Sequence, residues 1–261
     1  MKIWTVDAFT SKPFAGNPAA VTLVEKFPSD ETCQKIAAEM NLSETAFLKP
    51  LESDHFHIRW FTPEVEVKLC GHATLASAHI LFEERIVRGN NIVFESLSGP
   101  LFVTKVSQDI ILDFPLQKTG ADLPSHIFKD LFEPQTIVNA VQAYDDIIVE
   151  LVDEMLVRKL NLDFSKINKL DCRSLIVTAK GNVSYDFVSR VFAPQDGINE
   201  DPVTGSAHCK LADYWHKKLG KFEFLAYQAS PRGGSLGICI VDDRVHLRGQ
   251  AVTILKGRLM V

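Results

Sequence analysis

The chain has 261 residues, 46% of them hydrophobic and 23% charged, and 28 Lys+Arg against 33 Asp+Glu give a formal net charge of −5. That length is enough for a full core without disulfide or metal staples, and it lies between one large domain and two modest ones. Ordinary hydrophobicity argues against intrinsic disorder, and mild acidity gives no footprint for nucleic acid or for an anionic membrane.

Strands are expected first. Residues 3–9, 19–24, 45–49, 56–61, 91–95, 101–106 and 110–114 are short runs rich in Val, Ile and Phe, separated by Gly, Pro, Ser or Asp. In one of them Phe56, Ile58 and Trp60 alternate with His55, His57 and Arg59, the period of a strand with one buried face. Two helices interrupt the series. Ser29-Asp30-Glu31-Thr32 opens the first with a cap and two acids. The second runs from about Gly71 to Glu84 and is rich in small residues: Ala73, Ala76, Ser77 and Ala78. Near the N-terminus, Asp7 breaks the apolar stretch that a signal peptide requires, so no leader is expected.

After Pro115 the sequence turns polar, which sets the expected boundary: an N-terminal domain over 1–116, to which the last strand of the chain can return, and a C-terminal domain over 117–261. Strands are expected again at 136–143, 175–178, 184–192, 236–241, 244–248 and 252–261, and helices at 124–131, 153–160 and 205–219. Strands outnumber helices, and most connections are too short for parallel crossovers. The expected class is therefore α+β with mostly antiparallel sheets.

An internal repeat organises the two halves. Arg59-Trp60-Phe61-Thr62-Pro63 and Cys70-Gly71-His72-Ala73 in the first half answer Arg190-Val191-Phe192-Ala193-Pro194 and Thr204-Gly205-Ser206-Ala207 in the second. Pro63 and Pro194 are 131 residues apart, and Gly71 and Gly205 are 134 apart, so the copies differ by a three-residue insertion. Each copy reads strand, Pro turn, acidic loop, Gly, then a small-residue helix.

A helix start led by Gly is a natural cradle for a carboxylate or phosphate. The pair at Gly71 and Gly205-Ser206 suits a small anionic metabolite. His72, Asp201 and Glu44 lie near these starts as proton carriers, and each also has a plain structural explanation. His72 can be a solvated first-turn residue and Asp201 an Asp-Pro turn residue. Glu44 can be the acid of a capping box opened by Asn41, although Pro50 leaves such a helix too short. Cys70, directly before Gly71, is either a small buried hydrophobe or a thiol whose pKa a helix N-terminus lowers. His55 and His57 share a strand face without a third ligand, so no metal is expected, and five cysteines without CxxC spacing read as reduced thiols of a soluble, cytoplasmic protein. No segment approaches the ~18 apolar residues of a membrane span.

Five motifs in order carry a resemblance. Val6-Asp7-Ala8-Phe9-Thr10, Phe14-Ala15-Gly16-Asn17-Pro18-Ala19-Ala20-Val21, Asn41-Leu42-Ser43-Glu44-Thr45, Leu69-Cys70-Gly71-His72-Ala73-Thr74 and Glu200-Asp201-Pro202-Val203-Thr204-Gly205-Ser206-Ala207 together resemble the phenazine-biosynthesis PhzF family. The resemblance implies the diaminopimelate-epimerase-like fold: two similar domains, each a sheet wrapped around a central helix, with the site in the interdomain cleft. It also implies a homodimer and an isomerase that uses neither metal nor organic cofactor on a small carboxylated substrate, such as trans-2,3-dihydro-3-hydroxyanthranilate. In that comparison Glu44 moves the proton and His72 and Asp201 are its polar partners. Gly71, with Ala73 beside it, and Gly205 and Ser206 fall on the substrate-binding helix starts. Two alternatives remain. One is a cysteine-dependent lyase or racemase of the same fold, for which Cys70 and Thr204 resemble the pairing of hydroxyproline dehydratases. The other is a binding protein for small acids without turnover.

Overall fold

The computed structural model describes residues 1–261, and its internal contacts divide them into two units. The first holds Met1–Phe114 together with Arg248–Val261, and the second holds Pro115–Leu247.

The first unit opens with β1 (Lys2–Ala8), β2 (Asn17–Leu23), α1 (Asp30–Met40), β3 (Glu44–Pro50), β4 (His55–Phe61) and β5 (Glu66–Val67). It continues with α2 (Gly71–Glu83), β6 (Asn91–Ser96), β7 (Gly99–Val106) and β8 (Asp109–Pro115). On β4 the expected alternation holds: Phe56, Ile58 and Trp60 are buried, and His55, His57 and Arg59 lie half-exposed. Ten of the thirteen residues of α2 are buried, so this helix is apolar on every side, as a central helix must be. Ala73, Ala76 and Ala78 are fully buried and admit the close approach of β1, β2 and β3. The helix's polar side chains are satisfied internally, the Thr74 hydroxyl donating to Cys70 O at 2.6 Å and that of Ser77 to Ala73 O at 2.7 Å.

Between β1 and β2 the chain makes a tight loop that delivers Asn17 to the start of β2. Asp7 holds this loop by accepting the Phe14 N–H at 2.7 Å. Gly16 is required within it: its φ is +67°, and a Cβ there would lie 2.1 Å from the carbonyl oxygen of Ala8.

The second unit contains β9 (Ile137–Ala143), β10 (Asp146–Leu151), α3 (Glu154–Arg158), α4 (Phe164–Ile167), β11 (Leu175–Lys180) and β12 (Phe187–Ala193). These are followed by β13 (Ile198–Asp201), α5 (Gly205–Leu219), β14 (Glu223–Gln228), β15 (Gly234–Val241) and β16 (Arg244–Gly249). The last strand, β17 (Ala251–Arg258), pairs antiparallel with β1 of the first unit.

Both units use one pairing scheme. In the first, β1–β2 is antiparallel, β2–β3 parallel, β3–β4 and β4–β5 antiparallel, β4–β6 parallel and β6–β7 antiparallel. In the second, β9–β10 is antiparallel, β10–β11 parallel, β11–β12 and β12–β13 antiparallel, β12–β14 parallel and β14–β15 antiparallel. The parallel ladders are the ones whose connections carry helices, α1 and α2 in one unit and α3–α4 and α5 in the other; short connections give only antiparallel pairs.

The repeat extends to side chains. Arg59 on β4 grips Glu66 on β5 with two bonds of 2.7 Å, and Arg190 on β12 grips Glu200 on β13 at 2.7 and 2.8 Å. A bidentate guanidinium–carboxylate pair of this kind fixes direction as well as distance. In each copy it ties the acidic loop to the strand, a few residues before the Gly-led helix.

Several local expectations differ from the structure. The helix expected at 124–131 is only a 3-10 turn over Ser125–Phe128. Strands β5, β10, β13 and β14 and the short helix α4 have no counterpart among the expected elements. In β10 the acids Asp146 and Glu150 disguise a strand, because their partners are distant in sequence: Lys210 and Arg173 for Asp146, Tyr214 and Lys218 for Glu150.

Candidate functional site

Glu44 is the first residue of β3, directly after the loop that ends α1, where Asn41 in left-handed conformation forms the C-cap. The parallel ladder sets Glu44 opposite Ala19, two residues beyond Asn17 on β2. His72 is the second residue of α2. The two side chains meet with Glu44 Oε2 3.1 Å from His72 Nε2, and only 12% and 5% of their side-chain surfaces are exposed. The contact is close but poorly aligned, so neither of these two buried atoms has a hydrogen-bond partner. The two groups interact as a close charge pair rather than through a directed hydrogen bond.

The far side of the imidazole is clamped. The Asn17 carboxamide nitrogen lies 3.1 Å from His72 Nδ1, and the Ser43 hydroxyl donates to Asn17 Oδ1 at 3.1 Å. The Cys70 sulfur lies 3.5 Å from the same Nδ1. The ring is therefore held at its Nδ1, with Nε2 on the side of Glu44. Burial pulls the His72 pKa down, but Cys70 and Glu44 outweigh it, and the group titrates well above its ordinary range. Cys70 goes the opposite way from the helix-terminus expectation. Burial, reinforced by the Glu44 charge, pushes its thiol up to about 11, so at neutral pH it is a thiol and not a nucleophilic thiolate.

Glu44, Cys70 and His72 offer donor atoms within 4.8 Å of one another, the spacing of a metal site. Their directions do not converge, because Cys70 faces Nδ1 and Glu44 faces Nε2 of the same ring. One ion cannot be bound through both nitrogens of one imidazole, so the trio is built as a chain of contacts.

In the second unit, Asp201 ends β13 and Thr204 is the N-cap of α5. The Thr204 hydroxyl donates to Asp201 Oδ2 at 2.5 Å. Gln228, fully buried on β14, binds both residues: its Oε1 accepts the Thr204 N–H at 2.8 Å, and its Nε2 donates to the Asp201 carbonyl at 2.6 Å. His208, one turn into α5, lies with Nδ1 2.8 Å from the Thr204 carbonyl, and burial lowers its pKa to about 4. Gly205 is buried and Ser206 half-buried in the first turn of α5. In α2 the Ala73 side chain faces the core, leaving only its backbone for a ligand. Neither Cys70 nor Thr204 caps its helix through its side chain, so the first-turn N–H groups receive no cap bond from those residues.

The structure thus brings Glu44, Gly71, His72 and Ala73 together in the first unit, and Asp201, Gly205 and Ser206 in the second. The candidate list read from sequence omits three residues. Asn17 and Ser43 were visible inside the Gly16-Asn17-Pro18 and Ser43-Glu44-Thr45 motifs, whereas Gln228 has no local signal at all.

The family model for PhzC-PhzF, phenazine biosynthesis-like protein, matches residues 6–257. The chain belongs to this family. An uncharacterized isomerase of Halalkalibacterium halodurans is 48% identical over 99% of this chain and 98% of its own length. A phenazine biosynthesis-like domain-containing protein of Homo sapiens is 41% identical over 99% of both. Among solved structures, a PhzF-family protein of Enterococcus faecalis superposes with a TM-score of 0.92 at 45% identity, covering 100% of this chain and 99% of the other. A hydroxyproline epimerase of Agrobacterium vitis, at 11% identity and a TM-score of 0.65 over 98% and 91% of the two chains, shares the fold alone. The fold is therefore the α+β, epimerase-like one of the PhzF family, and no helix is long and apolar enough to cross a membrane.

Proposed function

We propose that the chain is an isomerase that moves a proton within a small carboxylated substrate, with Glu44 as the acid/base. The observation that carries this reading is the buried Glu44–His72 contact, 3.1 Å long, in which Glu44 Oε2 and His72 Nε2 have no hydrogen-bond partner. A carboxylate that takes a proton from one carbon and returns it to another needs a dry, fixed position, and the buried His72 ring beside it helps to supply one. The Ser43–Asn17–His72 chain supports that position by holding the ring. A proton shift leaves the substrate's oxidation level unchanged, so the reading calls for no redox cofactor.

The family resemblance makes Asp201 a polar partner of the substrate, and it makes the Gly71-Ala73 and Gly205-Ser206 helix starts candidates for binding an anionic group through backbone N–H groups. The names of the Halalkalibacterium and Pseudomonas relatives, both isomerases, support the reaction class. The resemblance to the phenazine enzyme makes trans-2,3-dihydro-3-hydroxyanthranilate the first probe. The cysteine-dependent alternative loses support from the protonated Cys70 thiol and from a Thr204 hydroxyl already committed to Asp201.

The test is a thermal-shift screen of carboxylated metabolites, starting with that probe, followed by deuterium exchange on each binder. The expected outcome is solvent deuterium incorporation that Glu44→Gln abolishes while affinity persists. Normal exchange in that variant would remove Glu44 from the chemistry.

A further inference from the structure

Away from Glu44 and His72, the C-terminal end of α2 and the β7–β8 turn line a cavity of about 690 Å³, well inside the ~300–1,000 Å³ range of small-molecule sites. Its walls include Arg85, Arg88 and Lys105, with Asn90, Ser107 and the ring of Phe82. No carboxylate lines it, although the chain as a whole is acidic at −5. The nearby acids are committed elsewhere. Glu84 binds Lys256 at 2.6 and 2.7 Å, Glu83 accepts the Thr253 hydroxyl at 2.6 Å, and Asp109 accepts the Gln250 amide at 2.7 Å. Arg85 and Arg88 are exposed and make no ion pair, while the Lys105 ammonium lies 5.3 Å from the Phe82 ring centroid. Three like charges gathered without a counter-charge repel one another, and an anion placed among them removes that cost.

The end of α2 does not oppose such an anion with bare carbonyls. Ile80 O and Phe82 O accept the N–H groups of Glu84 and Arg85, and Leu81 O accepts those of Ile86 and Val87. Arg85 makes this cap with φ +55°, at a position where helices ordinarily carry glycine. A long cationic side chain therefore occupies a site where the backbone alone favours Gly.

We propose that this cavity binds a phosphate-bearing small metabolite. Arg85, Arg88 and Lys105 hold the phosphate oxygens, Asn90 and Ser107 add polar contacts, and Phe82 forms an apolar wall for the rest of the molecule. The proposal is independent of the Glu44 chemistry.

Calorimetric titration of the whole protein with pyrophosphate and with ATP at low ionic strength tests it. Saturable one-to-one binding is expected, with a Kd on the order of 0.1 mM. Arg88→Ala and Lys105→Ala are each expected to weaken it about tenfold or more, whereas Lys35→Ala, which removes a cation paired with Glu31 elsewhere in the unit, leaves it unchanged. Arg85→Gly weakens binding while raising Tm by about 2–4 °C, because it relieves the left-handed cap. That gain separates a lost ligand contact from a damaged fold. ATP binding more tightly than pyrophosphate assigns the Phe82 wall to a nucleotide; equal affinity assigns the site to phosphate groups alone. Absence of saturable binding, an equal loss in Lys35→Ala, or full affinity in Arg85→Gly would overturn the proposal.

Discussion

The starts of α2 and α5 occupy matching places in two copies of one strand ladder, and they differ in what their polar groups are free to do. At α2, Glu44 and His72 meet with two buried atoms unsatisfied, and the imidazole titrates above its ordinary range. At α5, Asp201, Thr204 and Gln228 bind one another in a closed set, and the nearest imidazole, His208, is held neutral with a pKa of about 4. Duplication of a scaffold thus need not duplicate its chemistry. The ladder and the Arg–Glu grip repeat, while the side chains around each helix start leave polar atoms without hydrogen bonds at one and bind one another at the other.

The largest effect that would break this contrast is catalytic. Glu44→Gln should lower substrate deuterium exchange by about 10³-fold. Asp201→Asn keeps its shape and its place beside Thr204 and should cost only about 10–100-fold. Equal losses in the two variants, measured by NMR of the exchanging carbon, would erase the distinction.

Stability gives the next test, because the Arg–Glu grip is common to both units but its burial is not. The Arg190 side chain is 9% exposed and also donates to the Leu160 carbonyl at 2.6 Å. Arg190→Met should destabilise by about 3–5 kcal/mol, since it strands Glu200. Arg59, at 16% exposed, also faces Asp30 on the surface, and Arg59→Met should cost about 1–3 kcal/mol in urea unfolding.

The two histidines make opposite contributions to the pH dependence of stability. His72 has a raised folded pKa, so its stabilisation is fully present below the unfolded value of about 6.5 and is lost as pH rises through the folded value. His208 has a lowered one. The unfolded chain takes up its proton first, and stability falls as pH drops from about 6.5 to about 4. Urea midpoints measured against pH should therefore lose their alkaline decline in His72→Gln and part of their acid decline in His208→Gln. Reversal of either sign would mean that different groups surround the ring in solution.

Cys70→Ala should have the smallest effect. A buried protonated thiol behaves as a small hydrophobe, so its removal should cost about 1 kcal/mol or less and leave exchange within about threefold. Loss of exchange in this variant would return the cysteine-dependent reading.

Much of this was legible along the chain. The period-2 pattern marked β4, small residues marked α2, and the paired Arg-x-Phe-x-Pro and Gly-led segments marked a repeat whose copies share a pairing scheme. Glu44 stood out because the Asn41–Pro50 stretch is too short for a helix, leaving its carboxylate at the mouth of a strand. Gln228 was illegible, since a glutamine in a strand becomes informative only when Asp201 and Thr204 are seen on either side of its amide. Strand β10 was illegible for a related reason: Asp146 and Glu150 are poor strand residues until Lys210 and Tyr214 arrive from a helix some 64 residues away.

Sequence alone determined what local patterning can carry: the strand-rich class, the duplicated halves, the two Gly-led helix starts and the family motifs around Glu44, His72 and Asp201. Only the tertiary structure decided the state of the groups there. It made Cys70 a thiol with a pKa of about 11 where a helix terminus alone predicts a lowered one, and it raised His72 while lowering His208. The physical reason is that a pKa is set by burial and by charges brought near through folding, and residues as far apart as Asn17 and His72 become neighbours only once the sheet has closed around the helix.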